Sequence, residues 1–166
     1  MINRKRNIFL LLVLILLMMI AISTNAASQS LPGYQEYSQL DIGIILCDGT
    51  KAPIQDLLNS KILIKGKILK SPQLKSDEVV VYRMVITCCA ADALPSGVVV
   101  KLPEKTQFHD EDWVGVEGTI QLVPFDEKLK TIEPVTNMVP EGSAYPYLTA
   151  TKAYKISAPA TEYLYY

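Results

Sequence analysis

Residues 8–22, IFLLLVLILLMMIAI, are fifteen consecutive apolar residues without a charge, and Arg4, Lys5 and Arg6 stand just before them. A basic tip, an apolar run and then small polar residues is the order of a secretory signal. The foldable part of the chain therefore begins beyond this segment and is long enough for one domain of about 100–150 residues. Cleavage is expected near Ala26 or Ala27, in the stretch STNAASQS. The alternative is an uncleaved membrane anchor; a full span takes about 20 apolar residues. Basic residues stay on the cytoplasmic side, so both alternatives export residues 28–166, to the outer face of the cell membrane or into the medium. No cysteine follows the apolar run closely, which argues against a lipid-modified N-terminus.

Three of the 16 basic residues and none of the 17 acidic ones precede position 27, which leaves 13 against 17 and a formal charge of −4. An acidic domain lacks the basic face that phosphate neutralisation requires, so no nucleic-acid partner is expected.

Beyond the N-terminal segment the dominant pattern is β. Residues 28–60 form a spacer with a short strand and a helix: IGIIL (42–46) is an apolar run cut by Asp48-Gly49, and Ile54, Leu57 and Leu58 have helical spacing. KILIKGKIL (61–69) alternates Ile62, Ile64 and Ile68 against Lys61, Lys65 and Lys67, with Gly66 marking a bend. EVVVYRMVITCC (78–89) is a long β-branched run, AADALPSG (90–97) breaks it, and VVVKL (98–102) and WVGVEGTIQLV (113–123) come next as further strands. A short strand is expected within 129–139, then a loop, and LTATKAYKI (148–156) closes the domain. Five or six such strands with internal glycines predict a mainly β domain over 61–157, a small OB-fold-like Greek-key barrel, with a β-sandwich as the alternative. The tyrosines of 158–166, with Tyr145 and Tyr147, suit a barrel cap, a membrane-interface belt or a docking tail.

There are three cysteines, Cys47, Cys88 and Cys89. Export permits a disulfide, and an odd count leaves one thiol over. If the strand ran through position 89, Cys88 and Cys89 would face opposite sides; they can serve one ligand only where the strand ends. Three readings stay open. The pair is a core residue plus an idle surface thiol. Alternatively, Cys47 bonds Cys88 or Cys89, closing a loop of about 40 residues worth about 3–4 kcal/mol. The third is a thiolate site for a soft metal such as Zn or Cu(I) or for redox exchange. Asp92 lies close enough to join such a site, and His109 and Cys47 are weaker candidates. The Asp110, Glu111, Asp112 cluster reads as a solvated turn. No hydrolase elbow, phosphate loop or HExxH motif occurs, so no enzyme is predicted.

The stretch RMVITCCAADALPSGVVVKLP (83–103), with KGKILKSP (65–72) before it and WVGVEGTIQ (113–121) after it, resembles the C-terminal domain of the YcgQ-type family of bacterial membrane proteins. Its hallmark stands here as Arg83, Thr87, Cys88, Cys89, Ala90, Ala91, Asp92, Ala93, Pro95 and Gly97. The resemblance covers roughly 61–166 and departs in having one apolar segment where the family has several, and in extra sequence around 124–147. It implies an extracytoplasmic barrel-like domain working as a permease subunit beside a multi-spanning permease, and it supplies no catalytic residue. The expected function is thus a membrane-associated accessory domain with a metal link through its thiols. A thiol-redox protein with Cys47 as resolving thiol, or a structural envelope protein stapled by its cysteines, are the alternatives.

Overall fold

The computed structural model describes residues 33–48, 51–104, 106–138 and 144–166; the expected signal or anchor at 1–27 lies outside them. Among the described residues no helix is long and apolar enough to cross a membrane. The described residues form seven strands: β1 (Gln35–Glu36), β2 (Lys61–Leu69), β3 (Glu78–Ile86), β4 (Leu94–Lys101), β5 (Trp113–Val123), β6 (Tyr145–Lys155) and β7 (Tyr163–Tyr165). Their helices are α1 (Gln39–Asp48), α2 (Lys51–Asn59) and α3 (Glu133–Thr136).

The strands run in the order β1-β2-β5-β6-β4-β3-β7, and β2 also pairs with β3. That extra pairing closes β2, β5, β6, β4 and β3 into a ring, so the domain is an OB-fold-like barrel and not a sandwich. All ring pairings are antiparallel except β4 with β6, where Val99, Val100 and Lys101 face Tyr147, Leu148 and Thr149. Closure depends on β2 serving two neighbours. It pairs with β5 from Lys61 to Lys67 and with β3 from Lys67 to Leu69. Gly66 makes the transfer possible: a Cβ there would lie 2.6 Å from the Tyr82 carbonyl oxygen. Once β5 has been left behind, the Ile68 N–H and C=O are taken up by Asp112 and Glu111 of the loop before β5.

The barrel interior is filled by Ile62, Ile64, Ile68, Val114, Val116, Ile120 and Leu148, all buried. Val79–Val81 and Val98–Val100 are buried without alternation, so the β3–β4 hairpin is covered on both faces, as continuous apolar strands generally are. Its outer cover comes from the segment between β5 and β6. The strand expected within 129–139 does not form. A 3-10 helix occupies Glu127–Thr131, and α3 comes directly after it. The physical reasons are local. Asp126 caps the start by accepting from Lys128 N at 3.1 Å. Pro134, which cannot donate to a ladder, takes the first turn of α3. Leu129, Ile132, Val135 and Met138, three residues apart, are all buried.

The apolar run 42–46 belongs to α1, not to a strand; the short strand of this region is β1. Ser38 and Asp41 decide this. Asp41 Oδ2 accepts from Ser38 N (2.8 Å) and Oγ (2.7 Å), while Ser38 Oγ accepts from Asp41 N (3.1 Å). This is a reciprocal helix cap. The acidic turn 110–112 has Asp110 and Glu111 exposed, as a solvated turn does, and its carboxylates also act as a latch. Asp110 accepts from Lys70 N at 2.6 Å, Glu111 from Lys67 and from the Tyr82 hydroxyl, and Asp112 from His109 N and Lys155 Nζ.

The tyrosine tail is ordered as β7, parallel to β3, with Met84, Val85 and Ile86 opposite Tyr163, Leu164 and Tyr165. Arg83 fastens it. The guanidinium stacks 5.1 Å over the Trp113 ring and donates to the carbonyls of Thr161 (2.9 Å), Glu162 (3.1 Å) and Tyr163 (3.5 Å). Arg83→Met keeps apolar bulk against Trp113 and removes all three donors. Hydrogen bonds from a charged group contribute about 1.5–3 kcal/mol, so carboxypeptidase is expected to trim the tail of this variant about tenfold faster or more, as read by mass spectrometry.

Gly118 sits at a bulge in β5, where an added Cβ would meet the Thr149 carbonyl group and, at 2.9 Å, Leu148 Cδ2. Gly118→Ala is expected to destabilise the barrel by about 1–3 kcal/mol, read as a lower urea midpoint.

Candidate functional site

β3 ends at Ile86, three residues before the second cysteine of the vicinal pair. Thr87–Cys89 bend, and Ala90–Asp92 form one 3-10 turn. The strand therefore stops short of the pair, which is the condition under which both thiols can address one ligand. A single carboxylate sets the loop's shape. Asp92 Oδ2 accepts from Thr87 Oγ1 at 2.7 Å and from Cys88 N at 2.8 Å, and Oδ1 accepts from Cys89 N at 3.1 Å. The Asp92 N–H closes the turn onto the Cys89 carbonyl at 3.0 Å. The Thr87 hydroxyl, and then the N–H groups of Cys89 and Cys88, hold the Asp92 carboxyl below its usual value. Asp92 is thus engaged in positioning the two cysteines.

Three more of the hallmark residues, Arg83, Pro95 and Gly97, also have structural work. Arg83 holds the tail. The Pro95 carbonyl accepts from Asn137 Nδ2 at 2.9 Å, just after α3. A Cβ on Gly97 would stand 2.6 Å from Val80 Cγ1 and 3.1 Å from Pro134 Cβ, so only glycine lets α3 sit this close to the hairpin. Cys88 and Cys89 are different: both are exposed and free, as is Cys47.

Beside the loop lies a cleft of about 540 Å³. One wall is α1, with Gln39, Gly43, Ile44 and Cys47; the other is the end of the β3–β4 hairpin, with Val85, Thr87, Asp92 and Leu94. Met138 and Tyr166 also line it. The structure therefore brings Cys47, Thr87 and Asp92 to one cleft. It does not bring His109 there. That side chain is solvent-facing, with Nδ1 3.7 Å from Asp112 Oδ2. Among the described residues no group of three or more His, Cys, Asp or Glu side chains is arranged to hold a metal. Gln39, Leu94, Met138 and Tyr166 are site residues that sequence reasoning does not reach. Only the Ser38-x-x-Asp41 cap signals in sequence that a helix, and hence a wall, begins at Gln39.

A family model described as the DUF1980 C-terminal domain matches residues 51–166. The chain belongs to that family. The DUF1980 C-terminal match takes in α2, the whole barrel, the hallmark loop and the tail; α1 and Cys47 precede it. No curated protein matches. Among solved structures, a candidate aspartyl-tRNA synthetase from Leishmania major Friedlin is 11% identical with a TM-score of 0.40, over 81% of this chain and 23% of that one. A DUF3299 family protein from Pseudomonas aeruginosa PAO1 is 13% identical with a TM-score of 0.40, over 77% of this chain and 99% of that one. The chain thus spans about a quarter of the length of the synthetase.

The Asp92 brace has a defined pH dependence. A carboxylate depressed by folding stabilises the folded loop above the unfolded value and loses that effect as pH falls through the folded one. As pH is lowered from neutral, the Cys88 and Cys89 amide signals are expected to shift with a midpoint below the ordinary aspartate value of 3.8. At neutral pH, Asp92→Ala should speed hydrogen exchange at both amides about tenfold or more.

Proposed function

We propose that this DUF1980-family domain is a non-enzymatic accessory module at the outer face of the membrane, working beside a multi-spanning permease and presenting Cys88 and Cys89 to a soft metal ion such as Zn²⁺. One observation carries the reading. Arg83, Thr87, Asp92, Pro95 and Gly97 each have a packing or hydrogen-bond role in the fold, whereas the two thiols between them are exposed and free, on a backbone that a dedicated carboxylate holds through the Cys88 and Cys89 N–H groups. A side chain so positioned, yet without a packing role, is better accounted for by what it meets than by what it supports.

The donor set fits an open site. Two thiolates supply half of a tetrahedral zinc shell, and no third donor joins them among the described residues. Water or a partner protein fills the rest. The basic-tipped apolar segment supports export, and the acidic balance of the domain speaks against a nucleic-acid partner.

A second reading rests on Cys47, which lines the same cleft as Thr87 and Asp92. In a thiol-redox protein, Cys88 or Cys89 attacks a partner's disulfide and Cys47 resolves the mixed disulfide. Two thiols then pass two electrons and two protons to the partner's sulfurs.

Native mass spectrometry of the full chain, with and without reductant and added zinc, separates the readings. The accessory reading expects a retained zinc ion that is lost in Cys88→Ser and in Cys89→Ser. A mass lower by two hydrogens, restored by reductant and absent in Cys47→Ser, supports the redox reading instead. Free thiols with no metal at any zinc concentration would overturn the metal-linked form.

A further inference from the structure

We infer that the cleft between α1 and the β3–β4 hairpin is a second, separate binding site, for a small apolar molecule carrying a single N–H or O–H donor. The thiol reading plays no part in this inference.

Gln39 is the starting point. It stands at the first position of α1, is fully buried and lines the cleft. Its amide nitrogen donates to the carbonyls of Lys65 (3.2 Å) and Val81 (3.3 Å). These two acceptors fix which end of the amide is which, so Oε1 is the remaining end. Among the described residues it is buried without a partner. A buried acceptor left unpaired costs about 1–3 kcal/mol, and such exceptions in a well-satisfied fold point to a missing group. The missing group is a donor.

The surroundings say what carries it. Ile44, Leu94 and Tyr166 are three of the five large apolar side chains that stand exposed among the described residues, and all three line this one cleft. Concave, mostly apolar sites of about 300–1,000 Å³ with a few polar groups are the usual form of small-molecule pockets, and about 540 Å³ falls within that range.

The cleft also has a movable wall. Gly43 lies one turn from Gln39 on the same face of α1, and the position its side chain would take is 3.4 Å from Met138 Sδ. The thioether is held there by the Ser96 hydroxyl at 3.7 Å. Methionine is the most adaptable of core side chains, and Met138 lines the same cleft as Gln39.

The test is calorimetric titration of the full chain with indole and with 1-methylindole, two probes of nearly equal shape of which only indole can donate. The inference expects indole to bind about tenfold more tightly, the factor that one completed hydrogen bond to a buried acceptor gives. Leu94→Arg, at an exposed position, should abolish binding of both. Gln39→Met should bring the two affinities together. Should that variant fold poorly, the same question is answered in the unaltered protein by the nitrogen-15 shift of the Gln39 side-chain amide, which should move with indole and not with 1-methylindole. Equal affinities, no binding of either probe, or binding that survives Leu94→Arg overturns the inference. None of these outcomes depends on zinc retention, so failure here and failure of the metal reading are told apart.

Discussion

The fold turns on one short stretch of β2. Lys67 is paired with Trp113 of β5 on one side and Tyr82 of β3 on the other, and only because the strand bends at Gly66 can it reach both. Without that transfer β2 would remain an edge and the sheet would stay open, with unpaired backbone groups along β2 and β3. The crossing creates its own difficulty, since a strand changing partners leaves carbonyls without ladder donors. Gln39 relieves it by donating to Lys65 and Val81, one carbonyl on each of the two strands that part. The loop before β5 relieves the other end at Ile68. Barrel closure, the docking of α1 and the latch at 110–112 are therefore parts of one arrangement.

The same arrangement explains what is legible in the sequence. β2 and β5 appear at their true bounds because lysines, glutamate and glycines punctuate a half-buried pattern of period two. β3 and β4 are visible as β-branched runs, but their ends are not. β3 stops at Ile86 because Asp92 captures the N–H groups of Cys88 and Cys89, and a side chain six residues further on leaves no mark on strand propensity. β4 begins at Leu94, inside an apparent breaker, because pairing with Val85 and Met84 outweighs Pro95. The 127–136 segment departs from its expected strand for a related reason: its buried residues recur every third position, a spacing that neither strand nor α-helix templates detect. The tail is opaque because what orders it is Arg83, some eighty residues away.

The candidate site divides along the same line. The hallmark residues Arg83 to Gly97 can be picked out through the family resemblance, and the structure gives Arg83, Thr87, Asp92, Pro95 and Gly97 hydrogen-bond or packing roles while Cys88, Cys89, Ala90 and Ala91 stand exposed. The cleft cannot be found that way. Its walls come from a helix before the family match and from a hairpin, a loop and a C-terminal tyrosine within it. Such a surface exists only after closure brings α1 against the hairpin end. His109, attractive as a fourth ligand on residue type, is carried away by the hydrogen bond that its own N–H makes to Asp112.

Two kinds of chemistry thus meet at one end of the barrel, and the elements that carry them differ. The thiols belong to a loop whose geometry is internally determined: Thr87, Cys88, Cys89 and Asp92 hold one another, and nothing in α1 is needed for that brace. The apolar cleft depends instead on α1, held on the barrel by the amide of Gln39 and the buried side chain of Ile42. Whatever loosens α1 reshapes the cleft and leaves the thiol loop intact, while protonating Asp92 loosens the loop and leaves Gln39 buried where it is. On the two proposals, a soft ion and an organic molecule would be met with neither site fixing the affinity of the other, unless a ligand spans both. Thr87 and Asp92, which brace the one and line the other, are where such a ligand would couple them.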